Sequence, residues 1–530
     1  MKKFLILSTI FLLFGVHVFA KTIIINHSTD LQGRELLLGP RDKLVFMQHG
    51  CLMNGKVRGD KSRIKVKTKS PIFKDVGLNG SFSNKEAFLS WWDCGDDITR
   101  EFASLVASFS GIVYLDREGT LSKPTTIDCK KRIEIVGRGN VIRLDNIEGF
   151  ALYLKQAGII TIRDVKFKYV DSNPGRSSHV GTLRVAHSGN SKVKLQNVSI
   201  AGFDNSKYSI CGFDAIQIDN CEIGTQTIIK DVMVQDMVVK GDGKETNGVG
   251  ANYAISVDCH QGLSGKVGIS DCYIENMYNV DEMGNKIYED TSGIYLGGAT
   301  GKNNSGKMTY CNWDATIQDC RFKDVSKRNV KVQGNHVILR NLYSETTDAF
   351  LKTYQNMYVG INGDHIKIDG IYGQYDGCIV KITGDYLSLR NMDCTSTLHN
   401  SQYASVIRLD GTQHAVIEDC RFDNDSYMFI YPTERGFDET TEPVYHIKRC
   451  QLNVKHLLYC ISNYTIIHNK GRLVVEDSEV RLSDTYCFNA KSLAEITMRG
   501  TTVNHKGKLA SEKKDGGPTL TIEKSEIKRF

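Results

Sequence analysis

The sequence is poor in proline, carries little net charge and has no Cys-x-x-Cys pair. Its 530 residues include seven prolines and 48 glycines, which suits a β-rich chain with many turns. Without a Cys-x-x-Cys pair, a zinc site has little support. The net charge of +6 is small for this length and by itself indicates no nucleic-acid partner. After the N-terminal segment, no apolar run is long enough for a transmembrane helix.

The first 20 residues have the pattern of an export signal. Lys2 and Lys3 precede an apolar run from Phe4 to Phe14, and the segment ends at Ala20. This order predicts a signal peptide that is cleaved between Ala20 and Lys21. We expect export to the periplasm, the cell surface or beyond. No cysteine precedes the cleavage site, so a lipid anchor is not expected.

One six-residue phrase recurs along most of the chain. Its form is apolar, any, Asp or Asn, small or apolar, any, apolar, and its first copy is Ile162–Phe167. The fourth residues of the copies are 165, 198, 232, 272, 320, 342, 371, 392, 420, 450, 478, 501 and 525. An interval that keeps returning to 21–30 residues indicates a solenoid of stacked units. The apolar residues alternate, which is the spacing of strands.

The Asp or Asn of each phrase fits a bend between two strands, where such residues tolerate a left-handed backbone. A β-sandwich is the alternative, but it needs hairpin turns between neighbouring strands. The repeated pattern resembles the right-handed parallel β-helix proteins of the pectate-lyase-like superfamily, over nearly all of the mature chain. The resemblance implies an all-β fold, a right-handed parallel β-helix solenoid. It does not imply one reaction, because that fold hosts lyases, hydrolases, epimerases and adhesins.

We therefore divide the chain into a signal peptide (1–20), an N-terminal β-rich segment (21–95) and a β-helix (96–530). The β-helix is expected to begin with a capping helix at Asp97–Phe109, whose first turn Asp96 or Asp97 caps. Four apolar residues share one face of that helix: Phe102, Leu105, Val106 and Phe109. Such an opening resembles that of many β-helix enzymes, in which the helix covers the open end of the solenoid.

The 15 cysteines raise the question of disulfides in an exported chain. Four of them occupy the fourth position of the phrase: Cys272, Cys320, Cys420 and Cys450. We expect these four to stack on successive coils and to point inward, mostly as free thiols. A disulfide framework is the alternative.

A second apolar alternation follows each phrase, and the residue between its apolar positions should point outward. The outward column is Arg184, Gln217, Ser256, Tyr295, Lys331, Lys352, Lys381 and Arg408, and a second column includes Asp219, Asp258, Gln333 and Asp410. Four successive coils thus present a row of cations about 4.8 Å apart. An acidic polymer could neutralise this row. Alternatively, the row is a solvated face of splayed lysines.

This column suggests β-elimination from a uronate, in which a base removes a proton and cations stabilise the enolate. The candidate catalytic cations are Lys331, Lys352, Lys381 and Arg408. Asp219 and Asp258 could hold a calcium ion, which prefers oxygen ligands. The remaining outward residues would bind substrate: Tyr295, Gln333, Arg184 and Gln217.

Hydrolysis is the second hypothesis, with Asp348, Asp376 and His399 as its residues. Their order resembles polygalacturonase-type glycoside hydrolases, whose motifs are Asn-Thr-Asp, Asp-Asp, Gly-His-Gly and Arg-Ile-Lys. This chain has Thr346-Thr347-Asp348, Asp376-Gly377 and His399-Asn400, so it departs from each of the first three motifs. Its Arg63-Ile64-Lys65 lies far from those coils. Asp214 holds a similar position before a strand, where an Asp can simply form the turn.

A polysaccharide-binding rod without catalysis is the third hypothesis. A cleft flanked by insertions would favour an enzyme, and a flat face would favour a binder. The polar insertion Asp281–Ser305 could wall a cleft beside Tyr295 and Lys331. The sequence therefore predicts an exported monomer that cleaves an acidic polysaccharide by β-elimination, with hydrolysis and simple binding as the alternatives.

Overall fold

The computed structural model describes residues 20–243, 250–303, 308–347, 357–375, 377–396, 405–433, 442–459, 471–483, 486–489, 493–510 and 519–530. Most of these residues form β-strands. The chain divides into two compact units, one running to Gly119 with Arg132–Arg138 added, and one formed by Thr120–Lys131 and Gly139–Phe530. This division falls later in the chain than the boundary predicted at residues 95 and 96.

The first unit contains short parallel strands and one α-helix. Its strands are Thr22–Ile25, Ser28–Asp30, Glu35–Leu38, Lys43–Phe46, Cys51–Val66, Phe73–Phe82, Glu86–Phe88, Ile112–Tyr114 and Arg132–Val136. A 3-10 turn covers Leu89–Trp91, and the α-helix covers Thr99–Ser108. The strand Lys43–Phe46 pairs in parallel with Thr22–Ile25 on one side and with the long strand Cys51–Val66 on the other.

The helix forms where the sequence predicts it. The Oδ1 atom of Asp97 accepts a hydrogen bond from the backbone N–H of Thr99 at 2.9 Å, which satisfies one free amide of the first turn. The predicted apolar face is buried, and Phe109 stacks on Phe82 with ring centroids 5.4 Å apart. The role of this helix as a cap of the solenoid stays a prediction.

The rest of the chain is a long succession of strands. They are Gly119–Leu121, Thr125–Asp128, Val141–Asp145, Phe150–Asp171, His179–Ala201, Gly212–Asp219, Gln226–Lys240, Asn252–Asp258, Leu263–Ser270, Tyr273–Val280, Lys286–Ile287, Thr291–Gly297, Ala299–Lys302, Met308–Tyr310, Asn312–Gln318, Arg321–Val325, Arg328–Gln333, Asn335–Glu345, Met357–Asn362, Ile366–Tyr375, Cys378–Thr383, Leu387–Ser396, Ser405–Asp410, His414–Glu418, Arg421–Thr433, Val444–Lys448, Gln451–Tyr459, Gly471–Glu476, Glu479–Leu482, Tyr486–Asn489, Leu493–Arg499, Thr502–His505, Lys508–Ala510, Thr519–Glu523 and Glu526–Arg529.

The repeated phrases lie side by side in parallel register. Val165 pairs with Val198 and Val198 with Val232, and the later copies continue the same register to the last strand. Two short antiparallel pairs interrupt this pattern, Tyr273–Val280 with Lys286–Ile287 and Ala299–Lys302 with Met308–Tyr310. The parallel pairing from Ile162 to Phe322 is confirmed, and the long parallel sheet is consistent with a β-helix solenoid.

The bend inside each phrase has the left-handed backbone that its Asp or Asn predicts. Where the third residue is Asp or Asn, its φ lies between 47° and 56°, a region that these two side chains tolerate. Their side chains also bond across coils, since Nδ2 of Asn197 donates to Oδ1 of Asp164 at 2.8 Å. Each bend therefore sends the chain into the next strand and helps to align neighbouring coils.

The alternating apolar residues form a continuous core. The four phrase cysteines lie in this core, each at most 2% exposed, so the predicted inward orientation is confirmed. Among the residues that the structure describes, no helix is long and apolar enough to span a membrane.

Candidate functional site

The residues of the predicted outward column lie in one register, with one correction, although Ser256 is only 2% exposed. Adjacent strands pair in the order Arg184, Gln217, Ser256, Tyr295, Lys331, Gly360, Lys381, Arg408 and Tyr431. Gly360 holds the position between Lys331 and Lys381, so the prediction of Lys352 there is wrong. The strand of that coil is Met357–Asn362.

Four of the residues predicted to be catalytic fall on segments that the structure does not cover. Lys352, Asp348, Asp376 and His399 lie outside the described residues. The hydrolytic roles of the last three stay predictions.

The cations of the column are paired with carboxylates of the chain. Lys331 Nζ lies 2.7 Å from Oδ2 of Asp290. Arg408 Nε lies 3.0 Å from Oδ1 of Asp410. Lys381 Nζ lies 3.5 Å from Oδ2 of the same carboxylate. This second contact is an ion pair without the geometry of a hydrogen bond. The row of unneutralised cations that the sequence predicts is therefore absent from these positions, because carboxylates of the chain neutralise Lys331, Lys381 and Arg408. The face carries ion pairs, and its lysines are not splayed into solvent, since the side chain of Lys331 is 14% exposed.

Asp290 is the centre of a network of three donors. Its Oδ2 accepts hydrogen bonds from Tyr253 OH and Lys331 Nζ, both at 2.7 Å, and its Oδ1 accepts one from Arg328 at 2.5 Å. Burial acts to raise the pKa of Asp290, but the charges of Lys331 and Arg328 outweigh burial and lower it to about 2. Asp290 is thus held as a carboxylate.

Two tyrosines stack beside this network. The rings of Tyr253 and Tyr295 have centroids 4.8 Å apart, and Lys331 Nζ lies 4.7 Å from the centroid of Tyr295. Burial lowers the pKa of Lys331, and Asp290 offsets part of this effect. The three hydrogen-bond donors around Asp290 favour its charged form, and the Asp290 carboxylate in turn favours the charged form of Lys331. The OH of Tyr295 donates to Oε1 of Gln333 at 2.7 Å, so two residues predicted to bind substrate bond to each other.

The side chain of Asp258 approaches Tyr295 from the neighbouring coil. Its register partner is Gly297. A Cβ atom at Gly297 would lie 2.0 Å from Oδ1 of Asp258 and 3.0 Å from the OH of Tyr295, so only glycine lets these two groups converge. Burial, as the largest cause, and the charges of Asp214 and Asp219 together raise the pKa of Asp258 to about 7.

Asp214 is the more deeply buried of the two carboxyls. It is 2% exposed, and its Oδ2 lies 2.9 Å from Nε2 of His179. Its Oδ1 is buried without a hydrogen-bond partner. Burial raises the pKa of Asp214, and His179 counteracts part of this increase. Burial also acts to lower the pKa of His179, but the bond to Asp214 outweighs it and the net shift is upward.

Asp219 does not fit the predicted calcium site. Its Oδ2 accepts a bond from Arg184 at 2.7 Å and its Oδ1 accepts one from Gln217 Nε2 at 2.8 Å, so both oxygens already have donors. The raised pKa of Asp258 also opposes a carboxylate ligand, since calcium sites use ionised oxygens. In the described part of the chain, no three His, Cys, Asp or Glu residues form a metal-binding group. Arg184 and Gln217 hold Asp219 in place.

The insertion after Val280 supplies Asp290 to the face, and its hairpin lines a cavity of about 750 Å³. Neither Tyr295 nor Lys331 lines this cavity, so it is not the cleft that the sequence predicts beside them. Thr383 and Asp410 also line it, and both belong to the register column that includes Gln333. The lining is Asn303, Met308, Thr309, Tyr310, Asn335, Gly363, Asp364, Thr383, Gly384, Asp385, Tyr386, Asp410, Gly411 and Gln413.

Tyr253 and Arg328 are not among the residues predicted from the sequence, and Asp214 is treated there as a residue that can form a turn. Asp214, Tyr253 and Arg328 stand three residues before the column residues of their own strands, and they share a register of their own. This constant spacing could have identified the three residues from the sequence. No such spacing identifies Asp290, because it lies in an insertion outside the repeat.

Comparison with protein-family models found no family that matches this chain, and comparison with curated proteins found no matching protein. The class of reaction is therefore argued from the side chains of this chain alone.

Proposed function

We propose that this chain is an exported right-handed parallel β-helix of the pectate-lyase-like superfamily that hydrolyses a glycosidic bond of a polysaccharide. The observation that carries the proposal is the meeting of Asp258, Asp214 and Tyr295 on one face. Two carboxyls with different partners, one buried and one half-buried, suit acid and base catalysis of glycoside cleavage. The parallel register and the bends support the fold assignment.

Asp258 is the proton donor in this proposal. Its pKa of about 7 keeps a large share of the carboxyl protonated near neutral pH, so it can protonate the leaving oxygen. Asp214 is the base. The hydrogen bond from His179 offsets part of the increase that burial causes in the pKa of Asp214, and the unpartnered Oδ1 can accept a proton from the attacking water.

The substrate would lie along the stacking direction of the strands. Asp258 pairs with Gly297, and the next strand pairs Leu296 with Val332, the neighbours of Gly297 and Gln333. From Gln333 the column continues through Asn362 and Thr383 to Asp410 at the cavity. Five strand spacings make this path roughly 24 Å long, enough for several sugar units. Because Asp290 and Asp410 neutralise the cations, an acidic substrate is a weaker expectation for this face than the sequence suggests.

Elimination is the second candidate function, and a specific observation favours it. Lys331 Nζ lies against the rings of two tyrosines, and burial lowers its pKa, which is the environment of a lysine that acts as a base. A uronate carboxylate would then have to displace Asp290 from Lys331 or Arg328. We rank this candidate second because those cations are already paired.

A panel of neutral and uronic-acid polysaccharides distinguishes the two reactions. We expect new reducing ends without the absorbance of an unsaturated product. Rising absorbance would instead mean elimination, and binding without products would mean a non-catalytic rod.

The decisive variant is Asp258→Asn, which should lower kcat/KM at least 100-fold because a general acid contributes about 10²–10⁴-fold. The matched control is Asp425→Asn, the same change at an exposed residue of another strand, which should keep full activity. Normal activity of Asp258→Asn would remove Asp258 from the reaction.

A further inference from the structure

Two cysteines meet directly behind the proposed acid. Cys259 follows Asp258 at the end of the strand Asn252–Asp258, and Cys311 follows the hairpin strand Met308–Tyr310. Their Sγ atoms are 3.1 Å apart, and both side chains are fully buried. Their backbone N–H groups donate to consecutive carbonyls, Cys259 to Gly297 at 2.8 Å and Cys311 to Gly298 at 2.7 Å. The backbone therefore holds the two thiols opposite each other.

We propose that Cys259 and Cys311 form a disulfide that fastens the insertion hairpin to the coil carrying Asp258. The sulfur atoms need to approach by about 1 Å to reach the bond length of about 2.0 Å. The hairpin walls the cavity described above, so the bond would tie that wall to the strand that ends at Asp258. The inference goes beyond the proposed hydrolysis and does not depend on it.

The arrangement also favours the chemistry of bond formation. The thiol of Cys311 donates its hydrogen bond to Cys259, and this bond lowers the pKa of the Cys259 thiol. The thiolate is the nucleophile in thiol–disulfide exchange. The contact that brings the two sulfur atoms together thus also favours the thiolate form of Cys259.

The oxidant is a small or protein-borne disulfide, which the predicted export would supply in an oxidising compartment. The thiolate of one of the two cysteines attacks one sulfur of that disulfide and releases the other sulfur as a thiolate. The second cysteine then displaces the remaining half. Two electrons and two protons pass to the oxidant, which leaves as two thiols. Because both cysteines are buried in the folded chain, the exchange belongs to folding, before the hairpin closes over Cys259.

The test maps the cysteine partners after refolding. The reduced, unfolded full chain is refolded with a mixture of oxidised and reduced glutathione. Its remaining thiols are then alkylated in denaturant, the protein is digested, and the peptide masses are measured by mass spectrometry. We expect a linked peptide pair containing Cys259 and Cys311, lighter by two hydrogen atoms than the free peptides. Finding both cysteines alkylated, or Cys259 linked to another cysteine, would overturn the proposal.

Cys221 provides the matched control, since it is a buried thiol close enough to affect the pKa of Cys311. Cys221→Ser should keep the linked pair, whereas Cys311→Ser should leave Cys259 alkylated. A second measurement uses only the wild-type protein, so its outcome does not depend on whether a variant folds. The oxidised wild-type protein should melt at a higher temperature than the same protein after reduction, and equal melting temperatures would contradict a bond that fastens the hairpin.

Discussion

Replacing Asp258 by Asn tests the electrostatics of the site through stability. Burial and the charges of Asp214 and Asp219 raise the pKa of Asp258 from 3.8 to about 7. A carboxyl whose pKa is raised on folding binds its proton more tightly in the folded state. The wild-type protein therefore loses stability as pH rises from about 4 to about 7, and the whole cost is present above pH 7.

The size of this effect follows from the shift. Each pKa unit corresponds to about 1.4 kcal/mol, so about three units give at most about 4 kcal/mol at pH 8. Asn carries no charge and avoids this cost. We expect Asp258→Asn to unfold at a higher temperature than the wild type at pH 8 and at nearly the same temperature at pH 4, although it loses activity.

Thermal unfolding at pH 4, 6 and 8 measures the difference. The control is Asp290→Asn, because Lys331 and Arg328 overcome burial and lower the pKa of Asp290 to about 2. A lowered pKa stabilises the fold above the ordinary value of 3.8, and this contribution disappears as pH falls toward 2. Asp290→Asn should therefore be less stable than the wild type at pH 8. If Asp258→Asn shows no gain at pH 8, Asp258 is not held protonated and the assignment of the acid fails.

Three further substitutions test separate parts of the structure. Gly297→Ala places a Cβ 2.0 Å from Oδ1 of Asp258 and should lower kcat at least tenfold, measured as reducing ends; an unchanged kcat would mean that Asp258 need not lie over this glycine. Lys331→Ala leaves Asp290 with Arg328 and Tyr253 and should cost about 1–3 kcal/mol of stability, measured by urea unfolding; an unchanged midpoint would refute the ion pair. Asn341→Val puts a β-branched residue at a φ of 47° and should cost about 1–2 kcal/mol by the same assay, whereas Asn341→Gly should cost less.

The parallel repeat could be predicted because every copy of the phrase has the same local pattern of residue types. Apolar alternation fixes which side chains enter the core, and Asp or Asn at the third position fixes the bend. Both effects act within a few residues, so they are visible without knowledge of distant contacts. The register from Val165 to the last strand and the left-handed bends follow from them.

The position of Gly360 shows where this local reasoning stops. The segments around Lys352 and Gly360 both alternate in polarity, and the sequence alone gave no reason to prefer the second. Pairing with the strands of Lys331 and Lys381 selects the strand Met357–Asn362, because a strand inside a sheet must satisfy its backbone donors and acceptors on both sides. The choice of strand is therefore a property of the neighbouring coils.

The sequence by itself determined the repeat, the β-rich parallel fold, the bends and which apolar residues of the phrases enter the core. Only the tertiary structure decided which charges meet. Asp290 arrives from an insertion to neutralise Lys331, Asp258 lies over Gly297, and Cys259 faces Cys311. These contacts join residues from different coils, and their energies depend on distance and burial, which exist only once the coils have stacked.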